Sequence, residues 1–340
     1  MSWSRTNLLI AAAAARVGAT AEALGGRHTD YLMRLRLGAR GVVISKTRSP
    51  FLTQVAQTLA NNKYVSRELL AARGLPVAQG VLVDEGDPPD GAAVRALLRR
   101  AGRVVVKPNW GNRGVGVTTH VTTIEGVRRA CARAQAVDLD EEALVEPYVV
   151  GTNVRVAVIG GEFVAAAEVQ RPLLVGGRSP VEQVRALNAD TRRGSWEAPG
   201  LQSMDRIVIA EDLAEHLEVH GYAVEERLPD GAEVEITGEE AEVIDRTDEV
   251  HAGWAKVAVD ACAWLGVDVG GVDLRGPMDV FRAAPGLAQE TGVLLEVNVL
   301  PALHLHALPT RGAARPVFDR FVAYCLQLGG APRACADVRV

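Results

Sequence analysis

Residues 104–117 read VVVKPNWGNRGVGV, and the rest of the chain is organised around them. A β-branched run, Val104-Val105-Val106, leads to Lys107 and Pro108. A turn with Gly111, Gly114 and Gly116 follows, and Val117-Thr118-Thr119 resumes a strand pattern. Two short strands around a glycine-rich tip predict a hairpin lid. Glycine lets backbone N–H groups approach a phosphate closely and adopts left-handed angles. Lys107, ending the first strand, brings a point charge to the same place. No Gly-Lys-Ser/Thr follows, so this is not a Walker loop, and the G-x-x-G-x-G spacing is not a dinucleotide fingerprint. A plain surface turn beside a lysine has the same composition.

A second pattern stands near the other end of the chain. Residues 294–299 read LLEVNV, so Glu296 and Asn298 share one face of a strand. Upstream, residues 270–274 read GGVDL, a second apolar strand carrying Asp273. Asp273, Glu296 and Asn298 offer only oxygen ligands, the set suited to magnesium held together with nucleotide phosphates. Each strand alone also reads as an edge strand with ordinary polar residues.

Together the two patterns resemble the ATP-grasp superfamily, in particular the ATP-grasp parts of cyanophycin synthetase and of bifunctional glutathione synthetase. Residues 61–67, NNKYVSR, followed by 71–77, AARGLPV, resemble the family's "DKxxTKxxLxxxGxPVP". Residues 107–116 resemble "KPxxGNxGxGV", and 146–155, EPYVVGTNVR, resemble "VExxxxGxDYR". Residues 188–194, NADTRRG, resemble "NADPRRG"; 244–251, IDRTDEVH, resemble "IDVTDEVH"; and 296–306, EVNVLPALHLH, resemble "EVNxxPGxxxH". Ordered matches along most of the chain are far more specific than any one of them.

The resemblance implies an α/β ATP-grasp fold in three parts: an abbreviated N-terminal lobe over 1–75, a lid subdomain over 76–148, and a C-terminal lobe with an antiparallel sheet and the metal site over 149–340. It implies ATP and Mg2+ as cofactors, with Mn2+ the alternative metal. Lys63, Lys107 and the glycines 111, 114 and 116 would serve the phosphates. Glu146 would take the exocyclic amine of adenine, the backbone of Pro147, Tyr148 and Val149 its edge, and Asn153 the ribose hydroxyls. Asp273, Glu296 and Asn298 would hold the metal. Arg155 and Arg193 are the candidate catalytic cations. Arg155 lies mid-strand and needs an anionic partner, either phosphate or a carboxylate of the protein. The implied reaction joins a small-molecule acid to an amine through an acyl phosphate; an ATP-grasp kinase and a catalytically weakened nucleotide-binding module are the alternatives.

Three departures fall in the acceptor half. The family's Arg-x-Asn stretch before residue 244 is replaced by VEITGEEAE at 234–242. Ala302 and His304 stand for a glycine and an arginine, and Gly176-Gly177-Arg178 replaces a "GDG" turn. Added carboxylates and a lost arginine point to a neutral or cationic acceptor rather than an acidic peptide.

The chain has 340 residues, 48% hydrophobic and 23% charged, values of an ordinary globular protein. A net charge of −5 argues against a nucleic-acid partner, and no apolar run is long enough to span a membrane. Cysteines at 131, 262, 325 and 335 lack CxxC spacing and read as thiols of a reducing, cytoplasmic setting. A homodimer is compatible with the sequence. The apolar run after Arg5 is too short for a secretory signal and reads as a first helix over 7–24. Arg34, Arg36, Arg40, Lys46 and Arg48 form a solvated basic face or the border of an anionic site. Further helices are expected over 62–73, 92–101, 123–136, 181–186, 207–221, 250–265 and 318–328, with strands over 77–84 and 143–146 and a hairpin over 154–159 and 163–169. Residues 191–204 read as a loop, and 331–340 as a frayed end.

Overall fold

Alternation of small or β-branched apolar residues with polar ones builds the sheets of this computed structural model, which describes residues 3–25, 31–111, 113–194, 200–286 and 292–328. The chain opens with α1 (Arg5–Arg16), then an antiparallel three-stranded sheet of β1 (Thr20–Ala23), β2 (Leu32–Leu37) and β3 (Arg40–Ser45). The helix expected over 7–24 is therefore eight residues too long at its C-terminus. Gly18, at φ +74°, turns the chain, and residues 20–23 pair with 33–36 instead of continuing the helix. Two helices follow, α2 (Gln54–Asn61) and α3 (Lys63–Ala71). Asn62 caps α3 by accepting from the Val65 N–H, which starts the helix at Lys63.

The segment expected to form the lid comprises β4 (Val81–Val83), α4 (Ala92–Ala101), β5 (Val104–Pro108), β6 (Thr118–Val121), α5 (Ile124–Gln135) and β7 (Ala143–Pro147). Its strands form one antiparallel sheet in the order β4-β7-β5-β6. Val104, Val106, Ala143 and Val145 point into a core shared with Val94, Leu97, Val127 and Ala130 of the two helices. The period of two then places Lys107 and Glu146 on the opposite face. The strand expected over 77–84 is shorter, because Val77 bridges Leu294 in another sheet.

The largest sheet has the antiparallel order β14-β9-β8-β15-β16. It is built from β8 (Thr152–Ile159), β9 (Glu162–Gln170), β14 (Glu242–Asp245), β15 (Val269–Gly276) and β16 (Val293–Asn298). Between β9 and β14 lie β10 (Leu173–Val175), α6 (Pro180–Leu187), the two-residue strands β11 (Arg193–Gly194) and β12 (Met204–Asp205), α7 (Glu211–Val219) and β13 (Glu233–Glu235). The loop expected over 191–204 thus contains the start of a short parallel pair, and 195–199 lie outside the described residues. Between β14 and β16 come α8 (Ala252–Leu265) and α9 (Met278–Arg282), and α10 (His304–Ala307) and α11 (Val317–Cys325) close the described chain. Residues 331–340 and Cys335 also lie outside the described residues.

Val154, Val156 and Val158 of β8 pack on Trp254, Val257, Ala258, Ala261 and Leu265 of α8, the stripe legible in the sequence. Gly266, at φ +71°, ends that helix in the left-handed region. Ala157, Ile159 and Ala165 meet α1, α11 and the N-terminal sheet in a second core. Arg155 and Asp273 lie on the same face as this second core, further along the strands from Ala157 and Ile159. Among the described residues no helix is long and apolar enough to cross a membrane.

Candidate active site

Register brings the expected metal ligands together. Asp273 on β15 lies opposite Glu296 on β16 and opposite Arg155 on β8, and Asn298 lies opposite Gly271. The Arg155 guanidinium donates to both Asp273 oxygens, Nε to Oδ1 at 2.7 Å and Nη2 to Oδ2 at 2.6 Å. The Asn298 amide reaches Asp273 Oδ2 and Glu296 Oε1, each at 3.2 Å. The anionic partner that Arg155 needs in mid-strand is thus supplied by the protein itself.

The two lysines reach this face from the N-terminal part and the lid. Lys63 Nζ donates to the carbonyls of Asn109, at 3.3 Å, and Gly111, at 2.9 Å, so it fastens the start of the glycine-rich tip. Lys107 Nζ lies 2.9 Å from Glu146 Oε1, and the other Glu146 oxygen accepts from Arg67. Glu146, expected at the amine of a base, is therefore shared by two cations here. Arg67 also donates to the Leu295 carbonyl through Nε and Nη2, at 2.8 and 2.7 Å, and to the Ala78 carbonyl at 3.1 Å. Sequence reasoning singled out neither Arg67 nor Asn109. The i,i+4 spacing of Lys63 and Arg67 on α3 was the available signal, since it puts both on one helix face.

The electrostatics tie these groups into one unit. Burial pushes the Glu296 carboxyl up, but Lys63, Lys107 and Arg155 outweigh it and hold it down at about 2. Burial brings the Lys107 ammonium down to about 8, with Arg67 acting in the same direction and Glu146 and Glu296 opposing. Burial likewise lowers Lys63. Lys63, Arg67, Lys107 and Arg155 face Glu146, Asp273 and Glu296, with Asp138 acting also on Lys63 and Glu240 on Arg155.

Beyond Glu146 the chain leaves the lid through Pro147, Tyr148 and Val149. Arg275 donates to the Val149 carbonyl at 3.0 Å and to the Tyr148 hydroxyl at 2.9 Å. Tyr148, Asn153, Arg275, His120, Glu168 and Glu235 line a cavity of about 320 Å3. Asn153 precedes Arg155 by two residues on β8, and Arg275 follows Asp273 by two on β15. Cavity and charged cluster therefore share one face, about 7 Å apart along the strands. A wider depression of about 600 Å3, lined by Arg34 and Arg36, lies on the β2–β3 hairpin and includes none of these residues.

The hairpin tip packs on protein. Gly111, Gly114 and Gly116 have φ of +122°, +75° and +73°. A Cβ on Gly114 would lie 2.8 Å from the Thr237 carbonyl, and one on Gly116 2.5 Å from Val137. The Thr237 hydroxyl donates to the Gly114 carbonyl at 3.1 Å. The tip thus rests on the segment where the family pattern fails.

In that segment Glu235 faces Arg275 at 3.5 Å, and Glu242 pairs with Arg192 and Arg311 at 3.0 and 3.2 Å. Glu239 and Glu240 differ. Their carbonyls accept from Arg171 and Arg193, while their carboxylates make no ion pair among the described residues. Burial, with Glu240 adding, pushes the Glu239 carboxyl up to about 7. Arg193 also donates to the Asp205 carbonyl at 2.9 Å, and among the described residues it makes no hydrogen bond to the Asp273–Glu296 group. It braces main chain at the edge of the site, unlike Arg155. His306 is buried with neither ring nitrogen paired among the described residues, and burial holds it down at about 3.

No family model matches the chain. The cyanophycin synthetase of Nostoc sp. (strain PCC 7120) is 29% identical over 297 residues, which cover 84% of this chain and 31% of that protein. The glutathione biosynthesis bifunctional protein GshAB of Mannheimia succiniciproducens is 29% identical over 304 residues, 85% of this chain and 38% of that protein. The crystal structure of a bifunctional glutathione synthetase from Pasteurella multocida matches 96% of this chain and 44% of its own, with a TM-score of 0.60 and 23% identity. The chain spans about a third of the length of the curated relatives it matches. These findings bear out the resemblance drawn from residues 61–306: the chain is a relative of these synthetases and has the α/β ATP-grasp fold.

Proposed function

We propose that this ATP-grasp chain is an ATP-dependent carbon–nitrogen ligase that joins the carboxylate of an amino acid or small peptide to an amine. The observation that carries the reading is the convergence of Lys63, Lys107 and Arg155 on Asp273 and Glu296 beside a glycine-rich hairpin. Four clustered cations on a buried face suit a polyphosphate, and phosphoryl transfer depends mainly on positioning and charge stabilisation. The relatives' names, synthetases in both cases, support it.

The donor set fits magnesium. Asp273 and Glu296 offer oxygen only and Asn298 adds its amide oxygen, while both Asp273 oxygens accept from Arg155 and the Asn298 NH2 faces the two carboxylates. Among the described residues no group of three His, Cys, Asp or Glu side chains is placed to hold a metal alone. Such a site suits Mg2+, with Mn2+ second, taking its remaining ligands from phosphate and water. Bound there, the metal supplies neutralisation of phosphate charge. Lys63 and Lys107 add charge to the phosphates and N–H groups around Gly111 approach them, while Gly114 and Gly116 seat the hairpin on Thr237 and Val137 and the Gly116 N–H donates to Asp212. Pro147, Tyr148 and Val149 border the base, with Glu146 behind them, and Asn153 takes the ribose. Arg155 orients Asp273 and faces the transferring group; Arg193 holds the acceptor side. The γ-phosphoryl passes to the substrate carboxylate, the amine nitrogen bonds to the acyl carbon, and phosphate leaves. The closed hairpin keeps water from the acyl phosphate.

The proposal includes the three lobes at 1–75, 76–148 and 149–340, a cytoplasmic setting, small-molecule acid and amine partners, and a homodimer as the assembly to test. It is tested by screening paired amino acids for ADP release with mass detection of products. An amide product that requires both partners supports it. ADP release with one co-substrate and a phosphorylated product favours a kinase. ATP binding without turnover on any pair favours a weakened nucleotide-binding module, the reading to which the missing Arg-x-Asn stretch points.

A further inference from the structure

We infer that His120 forms the lid-side wall of the nucleobase pocket and that a bulge in β6 exists to place it there. The inference rests on the nucleotide reading above. Val104 lies opposite Val121 and Val106 opposite Thr118, so three steps on β6 face two on β5. Within that irregularity His120 has φ +57°, a left-handed backbone inside a strand. A bulge re-aims a side chain, and a left-handed residue other than glycine is uncommon. Such conformations persist only where the surroundings hold them, and they cluster at ligand sites.

The re-aimed ring stands 4.2 Å from that of Tyr148, centroid to centroid, tilted by 43°. The Tyr148 hydroxyl accepts from Arg275, whose guanidinium also lies 5.3 Å from the Tyr148 ring centroid. His120 comes from the lid, Tyr148 from the crossing between lid and lobe, and Arg275 from the central sheet. All three line the same cavity as Asn153. Within the protein the ring's hydrogen-bond partner is the hydroxyl of its neighbour Thr119, at 3.2 Å, which does not account for a bulge. Burial lowers the imidazole from its ordinary value, Arg103 and Arg275 adding and Glu235 opposing, so at neutral pH the ring offers a flat, uncharged face. Planar groups of this kind stack on a base through its π-face.

The test measures binding of Mg·ATP and of base-free Mg·tripolyphosphate by calorimetry, with Tm, for the full chain and for His120→Gly, His120→Asn and His120→Phe. His120→Gly and His120→Asn accept the left-handed backbone but lack the ring. They should weaken Mg·ATP roughly fivefold or more, about the worth of one stacked ring, while Tm stays at or above that of the unmodified protein. His120→Phe should keep Mg·ATP affinity within about twofold although its Tm falls. Tripolyphosphate binding should not change in any variant. Affinity that simply follows Tm, or a His120→Gly protein that binds Mg·ATP like the parent, overturns the assignment. Unmodified protein that binds neither ligand overturns the nucleotide reading itself, and the His120 assignment with it.

Discussion

Arg155 and Asp273, 118 residues apart in the chain, face each other across β8 and β15 and share two hydrogen bonds of 2.7 and 2.6 Å. Both side chains are largely buried, at 17% and 14% exposure, so removing one leaves the other charged without its partner. Asp273→Ala should therefore lower stability by about 3 kcal/mol, the usual penalty for breaking a buried pair. The double variant Arg155→Met, Asp273→Met should recover most of that loss in urea unfolding while remaining inactive. A single variant as stable as the parent would show that Glu296 already suffices to hold Arg155.

Lys107→Ala removes the ammonium that lies 2.9 Å from Glu146 Oε1. It should weaken Mg·ATP at least tenfold, about 1.4 kcal/mol, with the fold retained because Arg67 still pairs with Glu146. Unchanged affinity in a folded variant contradicts the phosphate role of the lid lysine.

Lys107 also links binding and stability to pH with opposite signs. Its ammonium is brought from 10.5 down to about 8 in the folded chain. Between those values the unfolded chain holds the proton and the folded chain does not, so this group makes folding stability rise with pH across that window. Over the same window the phosphates lose the charge they need, so Mg·ATP affinity should fall above pH 8 by up to about tenfold per pH unit. Lys107→Arg keeps its charge and should bind with a flatter profile. A fall of the same steepness in that variant assigns the titration to another group.

Glu296→Gln keeps the shape of the side chain and removes its charge. Turnover should drop at least about tenfold and the requirement for magnesium should rise, with the fold retained although Tm falls, because Lys63, Lys107 and Arg155 lose a buried counter-charge. Activity that survives at saturating magnesium places the metal elsewhere.

Part of the added acidic charge on the acceptor side is neutralised within the protein. Glu235 and Glu242 already pair with arginines, whereas the Glu239 and Glu240 carboxylates make no ion pair among the described residues. Neutral and basic amine acceptors should turn over faster than acidic ones, and Glu239→Gln with Glu240→Gln should reduce the difference. Clear preference for acidic acceptors, unaffected by His304→Arg, would count against it.

Local pattern carried much of this fold. The hairpin at 104–119, the helix at 92–101 and the Trp254 stripe each follow from periodicity and turn residues a few positions apart. Pairing at long range was not legible. Residues 20–23 continue an alanine-rich helical pattern, and only the distant strand at 33–36 makes them a strand. Spacing put Glu296 and Asn298 on one face and the resemblance added Asp273, whereas the pairing of Asp273 with Glu296 and with Arg155 depended on sheet register. Arg67 and His120 escaped for the same reason. One acts through main-chain carbonyls of another element, and the other is aimed by a bulge that no local pattern marks.

The central claim is transfer of the γ-phosphoryl to a carboxylate at the Lys107–Glu296 site. The direct measurement uses the acid identified in the pair screen, labelled with 18O in its carboxylate, and follows the label by mass spectrometry in a single turnover with Mg·ATP and amine. The account predicts ADP as the nucleotide product and one 18O per released phosphate. Release of AMP and pyrophosphate, or phosphate without label, would contradict it.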